Sequence, residues 1–419
     1  MRILLTTFGT RGDLNPYLAI AGGLAARGHE PVVATHEYWR ADVESEGLAF
    51  RPVRPDAHPE DKELFARAMH PRWGPAVVLR EMVLPALRES HADTFAAASD
   101  ADAIVSHPLS LAAPIVAAER GLPWISTVLA PLSFFSRHDF PVLGPLPHAW
   151  RLYGIPGVVS LVVRTMRSVT RSWTRPVRQL REELGLPPGG DPLQEGQHSP
   201  LRTLALFSRV LADPQPDWPK STRVTGFAFR DAPSEDEPDA RRLEAFLVAG
   251  PPPVVFTLGS SAVNVAGRFY DESLAAARRL GRRAVLLVGD EGVNRISPSL
   301  HDDAIAIARA PHRALFPRAA AIVHHGGIGT LAEGLRSGRP MLVVPWSHDQ
   351  PDNARRAARL GVARVLSSGR YRAARAAAAL EELLDDPVCA ARAGEVSRIV
   401  REEDGVSAAC EEIATAVRG

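Results

Sequence analysis

The sequence predicts an α/β protein built from two doubly wound halves on either side of a linker. Short runs of β-type residues alternate with longer amphipathic stretches, the pattern of a parallel sheet covered by helices on both faces. The alternation halts in a proline-rich, acidic segment and then restarts. The length of 419 residues suits two or three domains at roughly 100–200 residues each.

In the first half, residues 3–7 read as a buried strand. Residues 16–27 read as a helix, with Pro16 in its first turn and Gly28 just past its end. Residues 30–35, 103–106 and 124–128 are further strands, with a helix over 112–120 between the last two. The second series has strands at 253–258, 284–288, 321–324 and 341–344, and helices at 268–280, 329–337 and 352–360. From about residue 381 the tail reads as helices. Between the two series, residues 213–253 carry many prolines and the acidic cluster Glu235, Asp236 and Glu237, a composition that disfavours regular elements. The expected division is an N-terminal domain over 1–225, a linker over 226–252 and a C-terminal domain over 253–400. A closing helix over 401–419 is expected to pack back on the first domain.

Composition narrows the function classes. A net charge of +1 gives no basic field for nucleic acid and no acidic, solvating tail. The opening has only a short apolar run before Arg11 and Asp13, which is no signal peptide. No stretch reaches the ~18 apolar residues of a membrane span. Cys389 and Cys410 make neither a disulfide framework nor a metal cluster, so a reducing cytoplasm is the expected setting. The groups His301-Asp302-Asp303 and Glu235-Asp236-Glu237 sit in loop-like contexts and read as solvated charges; no metal site is expected.

One region breaks the pattern. Residues 151–181 hold seven arginines and no Asp or Glu, interleaved with Ile155, Val158, Leu161 and Val163. Two readings stand: a helix packing an apolar stripe on the first domain with a solvated arginine face, or a lid or surface that touches anionic lipid.

Four segments carry chemistry. In the strongest, a strand ends at His324, three glycines follow within four residues, and a helix begins near Gly329. Glycines let backbone approach a ligand, and a helix start offers unpaired N–H groups at a positive dipole end. That is a diphosphate cradle, with His325 at its lip, Gly327 and Gly329 in the turn, and Thr330 in the first helical turn. Glu333, one turn on, is placed for a ribose hydroxyl. The bland reading is a turn whose glycines serve only backbone shape. The second segment follows the strand at 341–344, where Asp349 and Gln350 would face the same crevice and bind sugar hydroxyls; the alternative is a helix start capped by Asp352 or Asn353. The third is Gly259 and Ser260 after a strand, a weak phosphate signal. The fourth is the loop Thr7–Pro16. It lacks the G-x-G-x-x-G spacing, so a dinucleotide fingerprint is rejected. Its Asp13 reads either as a helix cap or as a general base.

At these residues the sequence resembles the family 1 glycosyltransferases. The motif His-x-Gly-x-(Asn/Gly)-(Ser/Thr)-x-x-Glu is met by His325, Gly327, Gly329, Thr330 and Glu333, and the closing acid–Gln pair by Asp349 and Gln350. The N-terminal Gly-(His/Asp)-x-x-Pro motif is met by Gly12, Asp13 and Pro16. The resemblance covers essentially the whole chain. It looks closest to a bacterial branch that includes the rhamnosyltransferase of rhamnolipid synthesis, alongside sterol and antibiotic glycosyltransferases. The stretches Asp213-Pro-Gln-Pro-Asp-Trp-Pro219, Thr225-Gly-Phe227 and Phe256-Thr-Leu-Gly-Ser260 carry that likeness. One departure is Arg309-Ala-Pro-His312, where plant members have a Trp that stacks on the base; Arg309 would stack its guanidinium instead.

The resemblance implies a GT-B fold, two Rossmann-like domains facing a cleft. It also implies an inverting hexosyltransferase that uses a UDP- or dTDP-sugar as co-substrate, with no cofactor and no metal. Asp13 would be the base, its pKa raised by burial, with His107 as a possible helper. The acceptor is expected to be an apolar hydroxylated molecule, bound near Leu132, Phe134, Phe135 and Phe140. Nucleic acid is not an expected partner, and membrane contact is expected to be weak and peripheral at most. Two rivals stay open: a non-catalytic nucleotide-binding partner of another transferase, and a sugar-nucleotide epimerase on the same fold.

Overall fold

The computed structural model describes residues 1–56, 61–144, 148–230, 238–289, 294, 296 and 300–418. Glu235, Asp236 and Glu237 lie outside them.

The first sheet has seven strands: β1 (Arg2–Thr6), β2 (Glu30–Thr35), β3 (Ala49–Pro52), β4 (Ala103–Ser106), β5 (Trp124–Val128), β6 (Arg202–Ala205) and β7 (Thr222–Val224). They are all parallel, in the order β3-β2-β1-β4-β5-β6-β7. The second has six: β8 (Val254–Thr257), β9 (Ala284–Leu287), β10 (Ala304–Ile307), β11 (Ala321–His324), β12 (Met341–Val343) and β13 (Ala363–Val365). These too are parallel, in the order β10-β9-β8-β11-β12-β13. In each sheet the chain winds to one edge, returns to the centre, and winds to the other. The switch points lie between β1 and β4 and between β8 and β11, and a ligand crevice belongs outside the carboxyl ends of the strands there.

The strands are near-continuous apolar runs because helices cover both faces; Ile3, Leu4 and Leu5 are all fully buried. One hydrophobic cluster joins the two halves, with Val128, Phe207 and Trp218 of the first packed among Val255, Phe316 and Leu335 of the second. A buried ion-pair cluster also crosses. Arg356 bonds Asp352 on its own helix at 2.7 Å and Asp139 from the first half, and the Val142 N–H donates to Asp352 at 2.9 Å.

Several sequence expectations shift. The first helix runs Arg11–Ala25, starting before Pro16. Thr10 and Asp13 form a reciprocal cap that sets the start, and Pro16, the sixth residue, lies inside the helix, where it forgoes a backbone hydrogen bond. The proline-rich segment is not devoid of structure. It contains β7 and a helix, Pro238–Val248, whose Leu243 and Leu247 are buried and whose Asp239 accepts the Ala308 N–H at 3.2 Å. The arginine-rich stretch forms two helices, Val158–Trp173 and Arg175–Glu183. Val163, Val177 and Leu180 are buried, whereas Leu161 and Val169 are 62% and 50% exposed, so the domain covers only part of the apolar stripe.

At the end of the chain, the helix Pro387–Glu402 packs on the helix Ile328–Ser337 of the second half. The chain then crosses over, and the helix Gly405–Arg418 packs on the Arg11–Ala25 helix and β6. Gly405 lies so close to the Phe227 carbonyl that a Cβ there would overlap it.

Candidate functional site

The first switch point presents Asp13. Its Oδ2 accepts the Thr10 N–H at 2.8 Å and the Thr10 hydroxyl at 3.2 Å. Gly9, at φ +134°, makes this possible: a Cβ there would overlap the Asp13 carboxylate. The Gly9 carbonyl is held in turn by His36 Nε2 at 3.0 Å and Trp39 Nε1 at 3.2 Å. The other oxygen, Oδ1, stands 3.7 Å from His107 Nε2. His107 follows β4, the strand beside β1, so the topology brings together two residues far apart in sequence. The Leu109 N–H donates to His107 Nδ1 at 3.1 Å, which fixes the neutral ring with its proton on Nε2, toward Asp13.

Burial alone would raise the Asp13 pKa. The Nε2–H of His107, 3.7 Å away and directed at the carboxylate, and the two Thr10 donors outweigh it and hold the carboxyl below its ordinary value. This corrects the expectation of a base strengthened by burial: the donors that position Asp13 also stabilise its anion. Asp13 is both a cap and a cleft residue, with a third of its side chain exposed.

The second switch point presents His325, which is 3% exposed. Its ring is clamped between two glycines. A Cβ on Gly259, at φ +61°, would lie 2.5 Å from His325 Cε1, and one on Gly327 would overlap Nε2. These glycines make room for the imidazole, a role distinct from ligand approach. Burial, and then the His312 charge, push the His325 pKa down to about 3, so it is a neutral hydrogen-bonding group. Its Nδ1 has no partner among the described residues. Gly327 caps the helix Ile328–Ser337, whose first-turn N–H groups have no intrahelical acceptor. Thr330 is the third helical residue and is nearly buried; Gly329 borders open space.

The two switch points face each other. A Cβ on Gly12 would come within 4.0 Å of Ser260 Oγ. Asp349 also faces Asp13. Burial first, and the Asp13 charge with it, raise the Asp349 pKa to about 7, against the Asn353 hydrogen bond. Two carboxylates therefore share the cleft, which the sequence reading did not anticipate. Asn353 Nδ2 donates to Asp349 Oδ2 at 2.7 Å and to the Gly326 carbonyl at 2.9 Å, tying the two C-terminal loops together. His348, at φ +57°, sits beside them.

Other expected residues fall elsewhere. Gln350 is buried, and its Oε1 accepts the N–H groups of Trp346 and Ser347 at 2.9 and 3.1 Å, so only its amide nitrogen is left to offer. Asp352 and Asn353 are not the caps the alternative supposed, because Asp352 is taken by Arg356 and Val142. Glu333 is held by Arg336 at 2.9 Å, which lies over the Phe229 ring. Arg309 is exposed. Phe134 is half-buried, and its two faces are taken by Trp218 at 4.0 Å and His198 at 5.2 Å. Phe140 is buried edge-on to Tyr153, next to the ion pairs that join the halves. Phe135 is half-buried with φ +45°. Asp303 pairs with Arg278 at 2.7 Å, so it is not a free solvated charge. Among the described residues there is no cluster of three or more metal-binding side chains, and no helix long and apolar enough to cross a membrane.

Sequence reasoning missed Thr10 and His348, and read Asn353 only as a candidate helix cap. Thr10 and Asn353 had a findable signal: each sits one helical turn from an acid already singled out.

The chain is similar over most of its length to several known proteins. Residues 3–132 match the glycosyltransferase family 28 N-terminal domain. Residues 273–418 match the C-terminal domain described as erythromycin biosynthesis protein CIII-like. An O-mycaminosyltylonolide 6-deoxyallosyltransferase of Streptomyces fradiae is 34% identical, over 98% of this chain and 96% of its own. The glycosyltransferase GtfE of Amycolatopsis orientalis is 30% identical, over 86% of this chain and 85% of its own. A sterol 3-beta-glucosyltransferase of Arabidopsis thaliana is 27% identical, over 98% of this chain and 64% of its own. Among solved structures, the glycotransferase of kitacinnamycin superposes with a TM-score of 0.74 at 24% identity, covering 99% of both chains. VinC, solved in complex with dTDP, gives 0.68 at 23% identity and covers all of both chains. The chain belongs to the family 1 glycosyltransferases of GT-B fold, and is a nucleotide-sugar-dependent glycosyltransferase of the natural-product or sterol type.

Proposed function

We propose that this enzyme moves a hexose, with inversion, from a UDP- or dTDP-sugar to a hydroxyl of a largely apolar acceptor. One observation carries the reading: a carboxylate fixed by Thr10 and His107 at one switch point faces the His325 turn at the other. Asp13 enters the reaction ionised and takes the acceptor proton as that oxygen attacks the anomeric carbon in line. His107 holds the carboxylate in place and is not itself the base, because its Nδ1 is committed to the Leu109 N–H. As the diphosphate leaves, His325, the first-turn N–H groups and Thr330 supply hydrogen bonds to its growing negative charge. His325 does so as a neutral donor. Asp349 is placed for sugar hydroxyls; its raised pKa lets it donate as well as accept near neutrality.

Support for the donor comes from VinC, solved with dTDP. Support for the acceptor class comes from relatives named for a macrolide-type and a sterol acceptor. The test is a matrix of UDP- and dTDP-hexoses against apolar alcohols and phenols, read by mass, with the anomeric configuration of the product read by NMR. Inverted glycosides are the expected result. A retained configuration, or transfer only to free sugars or peptides, overturns the reading.

A further inference from the structure

The first domain holds a small cavity, about 50 Å³ and open to solvent, between its sheet and the helices Ala113–Arg120 and Arg175–Glu183. That is room for a few waters or for the head group of a ligand, not for a whole small molecule. Leu111, Ile115, Trp124 and Val177 give it an apolar wall. His107 is part of the lining, and the same imidazole stands 3.7 Å from Asp13. The cavity therefore adjoins the cleft through the residue that positions the base.

Two cations break the apolar wall. Arg178 and Arg181 lie one turn apart on one helix and are half-buried. Arg178 donates to Thr174 Oγ1 at 3.0 Å and to the Arg171 carbonyl; Arg181 donates through Nε to the Pro187 carbonyl at 3.0 Å. Each guanidinium has five N–H donors, so both keep donors to spare. Neither has a carboxylate partner among the described residues, and no acid lines the cavity. The nearby acids are engaged elsewhere. Glu183 pairs with Arg88 at 2.7 Å, Glu195 with Arg167 at 2.8 Å, and Asp191 accepts the Leu193 N–H at 3.0 Å. Burying cations without a counter-charge is unfavourable, and a chamber meant for a neutral apolar body has no use for them.

We propose that this cavity takes the anionic end of an apolar-bodied ligand, a carboxylate paired with Arg178 and Arg181, and that this ligand is the glycosyl acceptor. The last clause rests on the acceptor reading above; the cavity assignment does not. Titration calorimetry with decanoate and decanol tests the cavity without any turnover. Decanoate should bind more tightly by on the order of tenfold or more, the scale of a charge-assisted hydrogen bond. The double variant Arg178→Gln, Arg181→Gln should lose that preference, and Arg181→Lys, which keeps the charge, should retain part of it. Equal affinity of the unmodified enzyme for the two probes overturns the proposal with no variant needed. A second arm compares a terminally hydroxylated decanoate with its methyl ester as acceptors. Faster glycosylation of the acid identifies the ligand as the acceptor, whereas equal rates, or transfer to neutral alcohols alone, overturn that clause. If no hydroxyl compound is ever glycosylated, the proposed function fails, and the decanoate titration still decides the cavity.

Discussion

Replacing Gly327 by Ala tests whether the imidazole clamp governs diphosphate binding. Gly327 has φ −59°, so the substitution brings no left-handed strain. The added methyl would overlap His325 Nε2 and lie 3.0 Å from Cε1 and 3.3 Å from Cδ2. Non-bonded carbons rest at about 3.5–4.0 Å, so the ring must retreat by roughly half an ångström or more. It has little room, being 3% exposed with Gly259 against its other side. Overpacking of this kind costs about 1–3 kcal/mol of stability. A displaced ring also loses its hydrogen bond to phosphate, which lowers affinity on the order of tenfold. The assay is titration calorimetry with UDP and dTDP, alongside urea melts. Gly22→Ala, on the exposed face of the Arg11–Ala25 helix, is the control: a Cβ there meets nothing within 4 Å. It should stabilise the helix by about 0.5–1 kcal/mol and leave diphosphate affinity unchanged. If Gly327→Ala binds both diphosphates as tightly as the unmodified enzyme, His325 does not meet the phosphates and the clamp is only structural.

Three further outcomes follow from charge and burial. Burial pushes the His198 pKa down to about 4, below its unfolded value, so the stability it confers is full above the unfolded pKa and is lost as pH falls through 4. His198→Phe keeps the stack on Phe134 and should flatten the acid limb of the melting curve, by on the order of 2–3 kcal/mol at pH 4; an unchanged limb refutes this. Asp349 has the opposite sign: its pKa is raised to about 7, so its contribution is full below the unfolded carboxylate pKa and lost as pH rises through 7. Asp349→Asn should therefore raise the melting temperature more at pH 8 than at pH 5, and an equal change at both refutes it. EDTA should leave transfer largely unaffected, because protein hydrogen-bond donors are assigned to the leaving group; complete loss restored by magnesium or manganese contradicts that assignment.

Both wound halves and the strand–glycine turn–helix around His325 were legible in the sequence because their signals are local. Apolar runs mark the strands, and the glycines around His325 stand out within a single turn. What the glycines do was not legible, since Gly259 and Gly327 meet the imidazole only after β8 and β11 are laid side by side. The Asp13–His107 pairing depends in the same way on β1 lying next to β4. Pro16 misled because proline marks a helix start strongly, yet the Thr10–Asp13 cap sets the boundary earlier. What Phe134 and Phe140 pack against was not legible, because an aromatic near a cleft loop looks the same in sequence whether it faces a ligand or a neighbour. Their partners Trp218, His198 and Tyr153 come from other segments.

The central claim is that Asp13 takes the proton across the cleft from the His325 turn. The direct measurement is single-turnover transfer by Asp13→Asn at saturating nucleotide sugar and acceptor, with diphosphate affinity determined on the same preparation. Asparagine keeps the size of the side chain but cannot accept the proton, so the rate should fall by ~100-fold or more while diphosphate affinity stays near that of the unmodified enzyme. A near-normal rate in a variant that binds diphosphate normally would mean that another group takes the proton, and the mechanism proposed for this cleft would be wrong.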